Sequence, residues 1–290
     1  MFGFSPLKRV ALAAVTLAFA AHAVAADLTL DAYNPGESAM MPVTSVLVSG
    51  EKDAIFVDAQ FGKTQAEQLV QKIRASGKRL TTIYISHGDP DYYFGLDTLT
   101  AAFPKANIVA PQPVVDHIKA TVEAKLAFWG PKLGADKPAK AVIPQVLKGH
   151  SLTLEGKQLE VIGLDGAQPD RSFVWIPSIK AVVGGVVVAE NIHVWMADTQ
   201  TAKSHTDWLA TLQRIQDLKP RTVIPGHYLG TPSLNSVAFT ADYIKAFDEE
   251  TAKAKDSAAL ISAMKKRYPN LGDESTLELG AKVAKGEMQW

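Results

Sequence analysis

The sequence predicts an α/β sandwich with sheets inside and helices outside. Three observations carry that expectation. Short apolar, β-branched runs alternate with segments whose apolar residues recur at helical spacing. Polar side chains of catalytic type stand just past the ends of the apolar runs, where α/β sheets build their sites. The last third of the chain, beyond Phe239, reads as mostly helical.

In chain order, SVLVSG (45–50) and AIFVDA (54–59) are two apolar runs split by the polar turn Glu51-Lys52-Asp53, a hairpin signal. Residues 63–77 place Ala66, Leu69, Val70 and Ile73 on one helical face, and Gly77 stops the helix. LTTIYIS (80–86) is a β-branched strand, 96–103 a helix before Pro104, and NIVAP (107–111) a further strand. A long helix is expected over 114–129. Strands follow at 151–156, 158–164, 172–177 and 181–189, then an amphipathic helix at 206–218 and a short strand and loop in RTVIPGHY (221–228). The segment 130–140 reads as a connection between halves, so 26–290 is expected to form a single domain.

Composition bounds the function. With 47% apolar and 21% charged residues the chain is of ordinary globular type. It has no cysteine, which excludes disulfides and any thiolate nucleophile or ligand. Lys8 and Arg9, the apolar run 10–20 and Ala23-Val24-Ala25 form a secretory leader over residues 1–25, giving a periplasmic or secreted protein with no stable membrane anchor. Cleavage before Ala26 removes two bases and no acid, leaving slightly more acids than bases. No basic stripe exists, so nucleic acid is not an expected partner; a small-molecule substrate is. The sequence does not indicate an oligomeric state.

The chemistry concentrates in ISHGDPDYYFG (85–95). After a strand, His87 and Asp89 share one side, and a turn into a helix swings Asp91 and Tyr92 round to face them. Imidazole with carboxylate suits Zn²⁺, Fe²⁺ or Mn²⁺. Alternatively, Asp91 is simply a helix N-cap. His227 and Asp165 each stand just past a later strand.

In these segments the chain resembles the metallo-β-lactamase-fold superfamily, over about residues 27–250. The family loop Thr-His-x-His-x-Asp-His-x-Gly-Gly matches His87 and Asp91, with Asp89 and Tyr92 at its other two histidines and Phe94-Gly95 at its glycine pair. Counting back from Pro177 puts Asp165 at the family's next histidine. Gly185-Val186 falls on the Gly-Asp whose carboxylate bridges two metals, and Pro225-Gly226-His227 on the terminal Pro-Gly-His.

The resemblance implies a four-layer αββα sandwich and an exported hydrolase of an ester, lactone, thioester or amide. It implies at most one divalent ion (Zn, Mn or Fe), held by His87, Asp89, Asp91, Asp165 and His227; Val186 removes the bridge that a zinc pair needs. Asp91 would orient or deprotonate water, and His193 would contact substrate or act as acid or base. Arg171 is the expected counter-charge for the gathered carboxylates. Tyr92, Tyr93, Trp129, Trp195 and Trp208 are candidate walls of an apolar pocket. The alternative is a metal-free binding or scaffold protein on the same fold, or acid–base catalysis by the carboxylates without metal.

Overall fold

The computed structural model describes residues 1–2 and 27–290, so beyond its first two residues the leader expected at 1–25 lies outside the described residues. The first sheet has six strands in sequential order: β1 (Thr29–Tyr33), β2 (Ser45–Ser49), β3 (Asp53–Val57), β4 (Arg79–Tyr84), β5 (Asn107–Ala110) and β6 (Gln145–Val146). The hairpin β2–β3 is antiparallel, as is β1–β2. From β3 onward the pairs are parallel. Parallel neighbours need crossovers, and helices supply them: α1 (Lys63–Ala75), then α2 (Pro90–Tyr93) with α3 (Leu96–Ala102), then α4 (Gln112–Leu133).

The second sheet holds β7 (Ser151–Leu154), β8 (Lys157–Ile162), β9 (Phe173–Ile176) and β10 (Ala181–Val183). A two-residue strand β11 (Ala189–Glu190) leaves it, and β12 (Thr222–Val223) closes its edge in the order β12-β10-β9-β8-β7. Strand β13 (His227–Tyr228) pairs with β11 in parallel, and His227 also bridges Val43 in antiparallel. Helices α5 (Ala202–Asp217), α6 (Ser236–Lys253), α7 (Ser257–Arg267) and α8 (Glu274–Ala284) complete the chain.

The alternation of side chains along each strand builds the four layers. On β2 and β3, Val46, Val48, Ile55 and Val57 meet Val174, Ile176, Ala181 and Val183 of the second sheet in one core. Their alternates Leu47 and Phe56 face Leu69, Ile73, Leu96 and Val114 of the first helical layer. The alternates Phe173, Trp175 and Val182 face Trp208, Leu212, Tyr243 and Phe247 of the second. Each sheet is thus apolar on both faces, and each fully buried aliphatic or Phe side chain stabilises by roughly 1.5–3 kcal/mol.

Several elements differ from the sequence reading. Strands β1 and β6 were not anticipated; β1 is a half-exposed edge whose TLDAY pattern is weak, and β6 is only two residues, both exposed. The run 181–189 is two strands in different sheets, because Gly184 and Gly185 break it at φ +69° and +82°. A Cβ on Gly185 would lie 2.3 Å from the Ser172 carbonyl, so only glycine fits this crossing. Helix α4 runs on through Gly130 and Pro131, shortening the expected connection at its start. Helix α5 begins at Ala202 instead of 206, because Thr201 and Ser204 form a reciprocal capping box.

Candidate active site

The loop after β4 is held from below. Asp58, fully buried, accepts from Ser86 N (2.8 Å) and Ser86 Oγ (2.7 Å), and that hydroxyl accepts from Gly185 N (2.7 Å). His87 then enters the interior, and Pro90 opens α2 with Asp89 at its N-cap position. Asp91 is therefore inside the first turn and caps nothing. On the opposite side, Gly226 N donates to Val188 O (3.0 Å) and Gly226 O accepts from Thr44 N (2.8 Å), fixing His227 at the start of β13.

These elements bring His87, Asp89, Asp91 and His227 together. His227 Nε2 lies 2.8 Å from Asp91 Oδ2 and its Nδ1 lies 3.2 Å from the Tyr92 hydroxyl. Burial pushes the Tyr92 phenol well above its ordinary range, so it stays a donor. His227 Nδ1 accepts from it, and the Nε2–H donates to Asp91. His87 Nδ1 lies 3.1 Å from the Asp170 carbonyl and Nε2 lies 3.3 Å from Asp89 Oδ2. Both of those neighbours accept, so both ring nitrogens must donate, which requires the imidazolium. Burial lowers the His87 pKa, but the Asp89 hydrogen bond and charge outweigh it and raise the net value.

Asp89 is closely caged. Besides His87, Lys125 Nζ of α4 lies 3.3 Å from Oδ1, and His117 Nε2 lies 3.8 Å away. Burial would raise the Asp89 carboxyl, but His87, Lys125 and His117 hold it well below the usual carboxylate range. Arg171 is buried nearby with its Cζ 4.2 Å from the Trp208 ring centre, in the field of Asp198, Asp170 and Asp89. Its Nε and Nη2 have no hydrogen-bond partner among the described residues.

Asp165 does not join the set. After β8 the chain turns at Gly163, whose φ is +107°, and Gly166 N bonds back to Gly163 O. The turn carries Asp165 to the surface, 73% exposed, where it accepts from Arg214 Nη1 at 2.8 Å. Val186 lines the cleft with an apolar side chain at the bridging position.

The donors do not fit a resident metal ion as they stand. A metal needs a lone pair from each imidazole. His87 donates from both nitrogens, and His227 accepts at one and donates at the other. Both oxygens of Asp89 face protein nitrogens. Among the described residues no three His, Asp or Glu side chains converge to hold an ion. The five-residue ligand set expected from the sequence is replaced by two pairs, His87–Asp89 and Asp91–His227, with Lys125 as the nearest cation.

The pairs sit beside an open cleft of about 670 Å³, solvent at its mouth included. Its walls include Phe61, Trp129, Trp195, Trp208 and Trp290; its polar groups include Asp89, Asp91, Lys125, His193 and His227. Trp129, Trp195 and Trp208 are thus wall residues as expected, whereas Tyr92 and Tyr93 are buried outside the lining. His193 Nδ1 lies 3.0 Å from the Tyr243 hydroxyl. Burial keeps that phenol protonated and lowers the His193 pKa, so a neutral His193 accepts at Nδ1 and keeps its proton on Nε2. Lys125, His117, Asp198 and Trp290 were not foreseen. Lys125 and His117 are polar positions on a helix like any others, 36 and 28 residues from Asp89.

Comparison with known proteins agrees with this fold. No curated protein sequence matches the chain. Among solved structures, a metallo-beta-lactamase from Pontibacter korlensis is 18% identical, with TM-score 0.52 over 75% of this chain and 93% of that one. The DIM-1 metallo-beta-lactamase exposed to ceftazidime is 19% identical, with TM-score 0.51 over 76% and 98%. At such identity these neighbours speak for the fold alone. Residues 40–227, from just before β2 to the His227 that closes the site, match the family description itself, and by that match the chain belongs to the metallo-beta-lactamase superfamily.

Proposed function

We propose that the chain is a hydrolase-type enzyme that cleaves a small ester, lactone, thioester or amide by acid–base chemistry, with no metal ion in the step. Superfamily membership supports a hydrolase-type or related function. The observation that carries the rest is the Asp91–His227 pair, 2.8 Å apart and backed by the Tyr92 hydroxyl, lining an aromatic cleft.

In this reading His227 positions Asp91, and the Asp91 carboxylate takes a proton from water as the water oxygen attacks the substrate carbonyl carbon. The Lys125 ammonium and the His193 Nε2–H are the cleft donors available to the carbonyl oxygen as it gains charge. The Asp91 proton then passes to the leaving oxygen, nitrogen or sulfur as its bond to carbon breaks. A buried, apolar wall strengthens each of these interactions by excluding water.

The test is turnover of simple aryl esters, lactones, thioesters and amides by the purified protein, with and without EDTA. Activity should survive chelation and fall by about 10²-fold or more in Asp91→Asn. Activity that disappears on chelation and returns with one equivalent of Zn²⁺, Mn²⁺ or Fe²⁺ would sink the metal-free mechanism. A second reading, a binding protein on this fold, is favoured by one observation: Asp89, Asp91 and His87 are already paired within the protein. It predicts ligand binding at the cleft with no turnover of any ester, lactone, thioester or amide.

A further inference from the structure

We propose that Asp198 is a positioning residue of the cleft, clamping two tryptophans into a wall that selects a flat aromatic ring. Trp195 Nε1 donates to Asp198 Oδ2 and Trp290 Nε1 donates to Oδ1, each at 2.6 Å. One carboxylate thus ties together an indole from the loop before α5 and one from the segment after α8. The two rings meet edge to face, with centroids 5.2 Å apart and an interplanar angle of 71°. Phe128 also meets Trp290 edge to face at 5.8 Å, and Lys125 Nζ lies 4.9 Å from the Trp290 ring centre. Both indoles line the cleft.

The ligand class follows from what these walls offer. Indole edges and faces favour offset or edge-to-face contact with another ring over contact with a saturated one of equal area. The carboxylates around them are already hydrogen-bonded within the protein: Asp89 by Lys125 and His87, Asp91 by His227, Asp198 by the two indoles, and Asp273 by the hydroxyls of Ser275 and Thr276. The indole walls are therefore the surface on which a ligand ring packs. On the hydrolase reading, which this inference deepens, the substrate is an aryl ester or a planar aryl lactone.

The experiment is calorimetric titration with 1-naphthol and with its saturated counterpart decahydro-1-naphthol, followed by turnover of 1-naphthyl acetate. The wild-type protein should prefer the aromatic ring. Asp198→Ala should weaken 1-naphthol about tenfold while changing the saturated ring less than twofold. Asp198→Asn, which keeps one acceptor oxygen, should fall between. Trp290→Leu, which removes one wall without touching the carboxylate, should repeat the loss and serves if Asp198→Ala does not fold. Equal loss for both ligands, no loss in either variant, or no aromatic preference in the wild type would each overturn the clamp. Naphthol binding with no naphthyl acetate turnover would leave the clamp standing and remove the hydrolase reading.

Discussion

Lys125→Met is the perturbation that tests the charge arrangement most directly. Lys125 Nζ lies 3.3 Å from Asp89 Oδ1, and the two side chains are 18% and 14% exposed. At an effective dielectric of about 20, Coulomb attraction at that distance is about 5 kcal/mol. Desolvation of both groups takes back much of it, and His87 remains to hold the other Asp89 oxygen. The expected loss is therefore about 2–3 kcal/mol at neutral pH, a fall in melting temperature of roughly 4–5 °C for a chain of this size. Methionine keeps most of the packing volume, so the loss reports charge. The assay is urea unfolding of a double-mutant cycle with Asp89→Asn. The coupling should be about 2 kcal/mol at pH 7. Because the Asp89 pKa is depressed in the folded state, its contribution is present above the unfolded value near 3.9 and is lost as pH falls below it. The cycle should therefore shrink toward zero in strong acid. A coupling below 0.5 kcal/mol at pH 7, or one that does not change with acid, refutes the claim that Lys125 neutralises Asp89.

Asp58 makes the opposite pH prediction. Burial pushes its carboxyl up to about 7, against the lowering effect of the Ser86 hydrogen bonds. A raised carboxyl contributes stability that is full below the unfolded pKa and lost as pH rises through the folded one. Wild type should therefore lose stability relative to Asp58→Asn between about pH 4 and 7, by about 1.4 kcal/mol per unit, and lose no more above 8. Asparagine suits the left-handed backbone at this position, φ +65°; parallel unfolding curves across this range would refute the shift. At Gly226 a Cβ would lie 2.2 Å from the Gly185 carbonyl and 2.8 Å from the Tyr92 hydroxyl. Gly226→Ala should cost about 2 kcal/mol or more in chemical denaturation, and a near-neutral result would show that the backbone there relaxes freely.

The layers were legible because β2, β3, β9 and β10 are apolar on both faces and helical spacing recurs between them. His87, Asp91 and His227 were legible because each stands just past a strand end in a motif of fixed spacing. Asp165 was misplaced because counting back from Pro177 assumes a fixed loop length. Matching the family glycine to Gly166 instead puts Ala167, which has no donor, at the ligand position. Lys125 could not be read at all. It is one of several charges on α4, and only the docking of that helix brings it to Asp89, 36 residues away. Trp290 meets Asp198 across 92 residues for the same reason.

Asp89 links the change in the family motif to the charge arrangement of the cleft. A carboxylate where the family has a histidine removes a neutral ligand and adds a negative charge. In a buried site such a charge is expensive until a cation stands beside it. A metal ion could serve only if neighbouring donors were free to hold it, and Val186 and the exposed Asp165 supply none. A lysine ammonium and an imidazolium need no such shell. Once Lys125 and His87 take that role, both nitrogens of His87 are engaged as donors within the protein, and ligation would first require loss of a proton. On the proposed mechanism, Asp91, positioned by His227, is then the carboxylate with the catalytic part.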